Sequence, residues 1–254
     1  MIKTSLLAFL LGFAAQAQGQ SIGLGSKPIA GADLVIDGTQ QTLDTKWQYW
    51  EGPGFKSAMP IKWKIVPDPA DPKATALMTD DRAADGGKYG AADIVTKKAY
   101  RDFRLHVEFN CLKPGGNSGV YLQNRFEIQV LDGDKGSHGM AAVINEAAAP
   151  FDAYNGTGNW NAYDITFRAA RFKDGKLSEK PLVTIYFNGK KIHTNQAISQ
   201  VFGGPNSGMD GGNDGGKGIS DTPGGLKLQC EGHDVRYRNT WIKPLEITAA
   251  DTNF

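Results

Sequence analysis

Residues 102–131, DFRLHVEFNCLKPGGNSGVYLQNRFEIQVL, alternate polar and apolar side chains in three successive runs, interrupted by Lys-Pro-Gly-Gly and by Gln-Asn-Arg. A period of two marks an extended strand with one face on the core, because successive side chains leave the pleated backbone on opposite sides. The phase assigns Phe103, Leu105, Val107, Phe109 and Cys111 to the buried side of the first strand and turns His106, Glu108 and Asn110 outward. On the next two strands the outward set is Asn117 and Tyr121, then Glu127 and Gln129.

The same alternation continues on the C-terminal side. It recurs in YDITFRA (163–169), in LVTIYFNGKKIH (182–193) with an Asn188-Gly189 hairpin turn, in LKLQCEG (226–232) and in VRYRNTWIKPLEI (235–247). In LKLQCEG the polar phase carries Gln229 and Glu231. Upstream, WKIV (63–66) reads as an early strand, closed by the Pro/Asp turn PDPADPK. Many short strands with long connections predict an all-β fold of two antiparallel sheets packed face to face, in a single domain over 33–250. Composition agrees: 32 Gly and 12 Pro in 254 residues and no long apolar stripe at helical spacing exclude a helical bundle. The outward polar residues would then line a groove on one sheet face.

Charge excludes another class. With 28 basic against 27 acidic residues there is no polyanion-binding surface, so nucleic acid is not an expected partner. The N-terminus, MIKTSLLAFLLGFAAQAQGQ, presents Lys3, an apolar run from Leu6 to Ala15 and the small-x-small triplet Ala15-Gln16-Ala17. That order is a secretory signal peptide over 1–17, and the run is too short to span a bilayer, so export to the periplasm or the medium is expected, without membrane insertion. Residues 18–32, small and polar, read as a flexible tail. Cys111 and Cys230 both take the core phase; an oxidising compartment permits a bridge between them, and two buried free thiols on neighbouring strands fit equally well.

The densest polar cluster is NSGVYLQNRFEIQVLDGDKGSHGM (117–140). Glu127 and Gln129 share a face, which Asp132 joins only if a bulge inserts one residue between Gln129 and Asp132. Two carboxyls and an amide on one short stretch suit sugar chemistry, one carboxyl as acid or base and the other as nucleophile or stabiliser; a solvated sheet face would look the same. Tyr121 and Trp160 are candidates for stacking on a sugar ring, His106 for the groove wall, and His138 for a loop at the end of the strand. Residues 203–225 hold ten glycines in 23 positions and read as a groove-rimming loop; Asp210, Asn213, Asp214 and Asp221 make a divalent cation such as calcium a candidate there, without EF-hand spacing. No other cofactor or metal is indicated.

DFRLHVEF, GGNSGVYLQ, RFEIQVLD, HGMAAVI, NWNAYDITFRAARF, VTIYFNGKKIH and LKLQCEGHDVRYRNTWIKPL, in this order over about 33–246, resemble the 3-keto-disaccharide hydrolase domain family. The resemblance implies a concanavalin A-like jelly-roll sandwich, related to laminarinase-type glycosidases whose bulged strand carries E-x-D-x-x-E. Here the stretch is Glu127-Ile128-Gln129-Val130-Leu131-Asp132, with Gln129 in place of the middle acid. It implies cleavage of a 3-keto-glycoside: the ketone acidifies the C2 hydrogen, a base removes it, and the enolate expels the C1 substituent before water adds back. Glu127 is then the base, Asp132 or His138 the acid, and Arg125 and Gln129 hold the oxyanion or the sugar. Asn117, Glu108, Gln229 and Glu231 join the substrate-binding face, and Arg238, in the closing motif Arg238-Asn239, is either a substrate contact or a structural ion pair. A conventional glycoside hydrolase using Glu127 and Asp132, or a non-catalytic carbohydrate-binding module, remain alternatives on this scaffold.

Overall fold

A computed structural model describes residues 22–50, 62–79, 93–202 and 218–247; residues 1–17, read as a leader, lie outside them. The strands are β1 (Asp33–Ile36), β2 (Trp47–Tyr49), β3 (Lys64–Pro67), β4 (Thr75–Met78), β5 (Ile94–Thr96), β6 (Asp102–Cys111), β7 (Asn117–Leu122) and β8 (Phe126–Leu131). They continue with β9 (Asn161–Arg168), β10 (Arg171–Lys173), β11 (Lys176–Glu179), β12 (Leu182–Phe187), β13 (Lys190–Ala197), β14 (Lys227–Leu228) and β15 (Val235–Leu245). One short helix, α1 (Gln40–Lys46), interrupts them; its first turn is capped by the Thr39 side chain, which accepts from the Thr42 amide. No helix among the described residues is long and apolar enough to cross a membrane.

Two antiparallel sheets form a jelly-roll sandwich. The larger has eight strands in the order β13-β12-β9-β6-β15-β4-β3, with β1 also on β15; the smaller has five, β2-β5-β14-β7-β8. The expected phase holds. Phe103, Leu105, Val107 and Phe109 from β6 face Val120, Leu122, Phe126, Ile128 and Val130 from β7 and β8 in one cluster of buried side chains. Phe126 and Phe167 meet across the sheets at 5.7 Å between ring centroids. Two hydroxyls fasten the sheets through this dry layer: Tyr163 donates to the Gln129 carbonyl at 2.6 Å, and the Tyr237 hydroxyl lies 2.6 Å from Ser118, which donates to the Gln229 carbonyl. Cys111 and Cys230 are buried free thiols, and burial pushes the Cys111 thiol up to about 12.

The N-terminal segment departs from the expected tail. From Gly23 to Ser26 the backbone lies on the outer face of the larger sheet: the Gly23 amide donates to Asp164 Oδ2 at 2.5 Å and the Gly25 amide to Glu108 Oε1 at 2.7 Å. Ser26 is fully buried, and its carbonyl accepts from Asn239 Nδ2 at 2.9 Å. The glycines that read as flexible permit this path through their backbone, with Gly23 and Gly25 at φ of +89° and +80°, a conformation side chains rarely adopt. Trp241 is fully buried under this segment, its ring 5.5 Å from that of His106 and its Nε1 donating to the Ser26 carbonyl at 3.3 Å.

Phe167 is fully buried and packs on both Phe103 and Phe126. Phe167→Ala is expected to cost about 3–5 kcal/mol of unfolding free energy. Urea denaturation followed by circular dichroism checks this; a loss below about 1 kcal/mol would mean that the sheets do not depend on this contact.

Candidate active site

The outer face of the five-stranded sheet gathers side chains from four strands. Register places Val95, Lys227, Tyr121 and Glu127 opposite one another across β5, β14, β7 and β8. All four point away from the core that holds Ile94, Leu228, Val120 and Ile128. The Lys227 side chain has no exposed surface; its Nζ lies 2.8 Å from Asp93 Oδ2, 3.6 Å from the centre of the Tyr121 ring and 4.3 Å from that of Trp50. Asp93 in turn accepts from the Cys230 amide at 2.8 Å. Stripping an ammonium of water costs several kcal/mol unless it is paired, and here a carboxylate and two aromatic faces replace the water.

Beside this cation sits Glu127, 8% exposed. Burial pushes its carboxyl up to about 7; the Tyr121 hydroxyl and the Lys227 charge pull it down, and the Glu231 and Asp93 carboxylates push it further up. Gln229 Nε2 donates to the Tyr121 hydroxyl at 3.1 Å. Gly119 makes room for the pair, since a Cβ there would collide with Glu127 Oε1 and Tyr121 Cε2. The β8 backbone is held on its free side by residues 141–144: Ala141 donates to the Gln129 carbonyl at 3.0 Å and Ile144 to the Glu127 carbonyl at 3.2 Å. A carboxyl poised near neutrality beside a fixed cation and a phenol can take a proton from carbon, stabilise the resulting anion and return a proton.

The expected site residues divide between two faces. Glu127, Gln129, Tyr121 and Asn117 stand on strands of the five-stranded sheet and Gln229 and Glu231 follow its β14, with Gln129 Oε1 accepting from the Val130 amide and Asn117 donating to Glu231. His106, Glu108 and Arg238 stand on the outer face of the eight-stranded sheet under the N-terminal segment, and Trp160 is beside them. There His106 Nδ1 lies 2.6 Å from Asp164, and Arg238 pairs with Glu108 at 2.7 Å and Asp68 at 2.6 Å while stacking on Trp160 at 4.1 Å. Burial disfavours charge on both His106 and Glu108. Their mutual hydrogen bond, with Asp164 on one and Asn239 and Arg238 on the other, wins, raising His106 and taking Glu108 to about 2. These groups are a closed structural network, not a groove wall.

Three other expectations are corrected. The β7–β8 register runs unbroken from Asn117↔Leu131 to Leu122↔Phe126, so no bulge brings Asp132 beside Glu127; Asp132 instead accepts from Thr157 at 2.6 Å. His138 is exposed next to Ser137 and makes no contact with Glu127 among the described ones. The buried Arg125 guanidinium donates to the carbonyls of Gln123 and Thr222, which fastens a loop. Asp210, Asn213 and Asp214 lie outside the described residues and Asp221 is exposed; no group of three potential metal ligands occurs among the described residues. Sequence reasoning missed Lys227, Asp93 and Trp50. Only Lys227 carried a signal, a lysine between two core leucines on the phase of Gln229.

A family model described as the 3-keto-alpha-glucoside-1,2-lyase-like domain matches residues 34–243. No curated protein matches the sequence. Among solved structures, one from Parabacteroides distasonis, named provisionally as a glycosyl hydrolase, superposes with a TM-score of 0.64 at 24% identity over 85% of this chain and 84% of that one. A second from the same organism, named likewise, gives 0.56 at 20% identity over 85% and 95%. At these identities the likeness carries the fold.

Two outcomes follow from the geometry. Removing one partner of the buried pair, in Asp93→Asn or Lys227→Met, is expected to cost about 3–5 kcal/mol, and the double variant Asp93→Asn/Lys227→Met to regain a substantial part of it. Urea denaturation of the three proteins reads this, and additive losses would dissolve the pair. Gly119→Ala is expected to displace Glu127 at a stability cost of about 1–3 kcal/mol, visible as a lowered melting temperature and, in a crystal structure, as a moved carboxyl.

Proposed function

The chain belongs to the 3-keto-alpha-glucoside-1,2-lyase-like domain family, a family of carbohydrate-active enzymes, and from that premise we propose that it cleaves 3-keto-glycosides by elimination across C1–C2. The observation that carries the proposal is Glu127, a buried carboxyl pushed up to about 7 beside the Lys227 ammonium and the Tyr121 phenol. A general base works best when its pKa lies near the operating pH, and an ordinary surface carboxylate is too weak for a carbon acid. Glu127 takes the C2 proton, and the bonding pair moves into the C2–C3 bond as the ketone oxygen becomes an enolate whose charge lies in the field of the buried Lys227 ammonium. The pair then returns to expel the C1 oxygen, which takes a proton from Tyr121 or from protonated Glu127. Water adds at C1 and a proton returns to C2, so the net reaction is hydrolysis.

A conventional double displacement needs a second free carboxylate about 5–5.5 Å away. Asp132 is bonded to Thr157, Asp93 is committed to Lys227, and Glu231 accepts from Asn117, which favours the elimination route. The proposal includes export, for which the leader-like residues 1–17 are the ground.

Matched glycosides, oxidised and unoxidised at C3, test the substrate class: only the 3-keto compound is expected to be cleaved, and in heavy water its released sugar should carry deuterium at C2. Equal turnover of both would refute the ketone requirement. The rate should also follow Glu127 ionisation. Below pH about 7 the carboxyl is protonated and kcat/KM should fall about tenfold per pH unit, an acid limb absent from any residual activity of Glu127→Gln. Stability has the opposite sign. The folded-state value of about 7 exceeds the ordinary 4.5, so the contribution present below about 4.5 is lost as pH rises through 7. Glu127→Gln should therefore be more stable relative to the parent at pH 8 than at pH 4, read by chemical denaturation at the two values.

A further inference from the structure

Asp132 does not join Glu127; it lines a cavity elsewhere in the sandwich. At the open end of the sandwich a pocket of about 410 Å³ is lined by Asp132, Met140, Ala153, Tyr154 and Phe187, with Phe151 among its lining residues. That volume lies within the range of small-molecule sites, which combine an apolar floor with a few convergent polar groups. Met140, Ala153 and Phe187 are buried and supply the floor. Phe151 is 46% exposed, one of two large apolar side chains left in solvent among the described residues. Gly133, Asp134, Lys135, Ala149, Pro150 and Asp152 complete the lining, Lys135 pairing with Asp152 at 3.3 Å.

We propose that this pocket is an accessory binding site for an uncharged saccharide, separate from the Glu127 face. The aromatic ring offers a negative π-face to the C–H bonds of a pyranose, which carry partial positive charge. The aspartates accept hydrogen bonds from sugar hydroxyls at the rim. Charge selects against anions, since the lining carries three aspartates against one lysine and repels phosphates and uronates. The site requires no chemistry at Glu127, so its test reads binding alone and stands whether or not the elimination mechanism does.

The test uses the full mature chain labelled with nitrogen-15 and sucrose as the probe, with spermidine and glucose 1-phosphate as the charged comparisons. Sucrose titrated to about 50 mM, enough to fill a site of millimolar Kd, is expected to shift the amides of Gly133, Ala149 and Ala153. Phe151→Ala, an exposed position whose loss leaves the fold and melting temperature intact, should weaken binding about tenfold. Asp132→Asn should weaken it less, and Phe151→Ala should leave kcat/KM on a small 3-keto-glucoside unchanged. Absence of those shifts, or shifts indifferent to Phe151→Ala, would overturn the proposal. So would spermidine or glucose 1-phosphate moving the same amides where sucrose does not, because that would make the pocket a cation or anion site.

Discussion

A lysine ammonium without exposed surface governs the outer face of the five-stranded sheet. Lys227 is flanked by Leu226 and Leu228, so the strand that anchors the core necessarily projects a cation on its other side. Once water is excluded from that cation, its surroundings are constrained. Asp93 must approach to hydrogen-bonding distance, and the rings of Trp50 and Tyr121 must turn their faces to it. Tyr121 thus held presents its hydroxyl to Gln229 and Glu127, and Gly119 leaves the space in which Glu127 lies. The elevated Glu127 carboxyl follows from the same burial: the cation alone would lower it, and desolvation outweighs the cation.

The opposite face shows what the same polar inventory does when it is fully satisfied. There the carboxylates of Asp164, Glu108 and Asp68 meet His106, Arg238, Asn239 and two backbone amides of the N-terminal segment. Each charge has an opposite charge or a directed donor, and Glu108 sits far below its ordinary value. A carboxylate held at about 2 is a poor base at neutral pH, while one held at about 7 is a good one. Both carboxyls are buried; at Glu127 desolvation prevails, whereas at Glu108 the hydrogen bonds from His106, Asn239, Arg238 and the Gly25 amide outweigh it.

Legibility in the sequence follows the same division. Alternation reports which side of its own sheet a residue faces, and it did so correctly for Phe103 to Cys111 and for Glu127 and Tyr121. It does not report which sheet a strand joins, and for that reason His106 and Glu127 share a phase yet stand on opposite outer faces. The bulge that would have turned Asp132 is likewise a backbone event with no mark in the side-chain pattern, and the register runs straight through it. Residues 22–32 read as a tail because glycine favours disorder and also supplies the positive φ values that a fixed path here requires. Lys227 was the readable omission: a lysine in a core strand must be neutralised by something, and the phase already pointed it toward Tyr121.

The charge balance of the face bears on which chemistry it favours. In the proposed elimination the negative charge leaves Glu127 as it takes the C2 proton and reappears on the substrate's enolate oxygen. The cluster of Glu127, Asp93 and Lys227 with its substrate therefore keeps the same net charge throughout. A buried site tolerates such a transfer well, because no new charge has to be solvated and the ammonium is already fixed by Asp93 before reaction. Displacement at C1 would instead develop positive charge on the sugar ring, beside a lysine held in a low-dielectric setting where like charges repel strongly. Desolvation of Glu127 acts in the same direction: by raising the energy of the carboxylate it strengthens the base that the elimination needs.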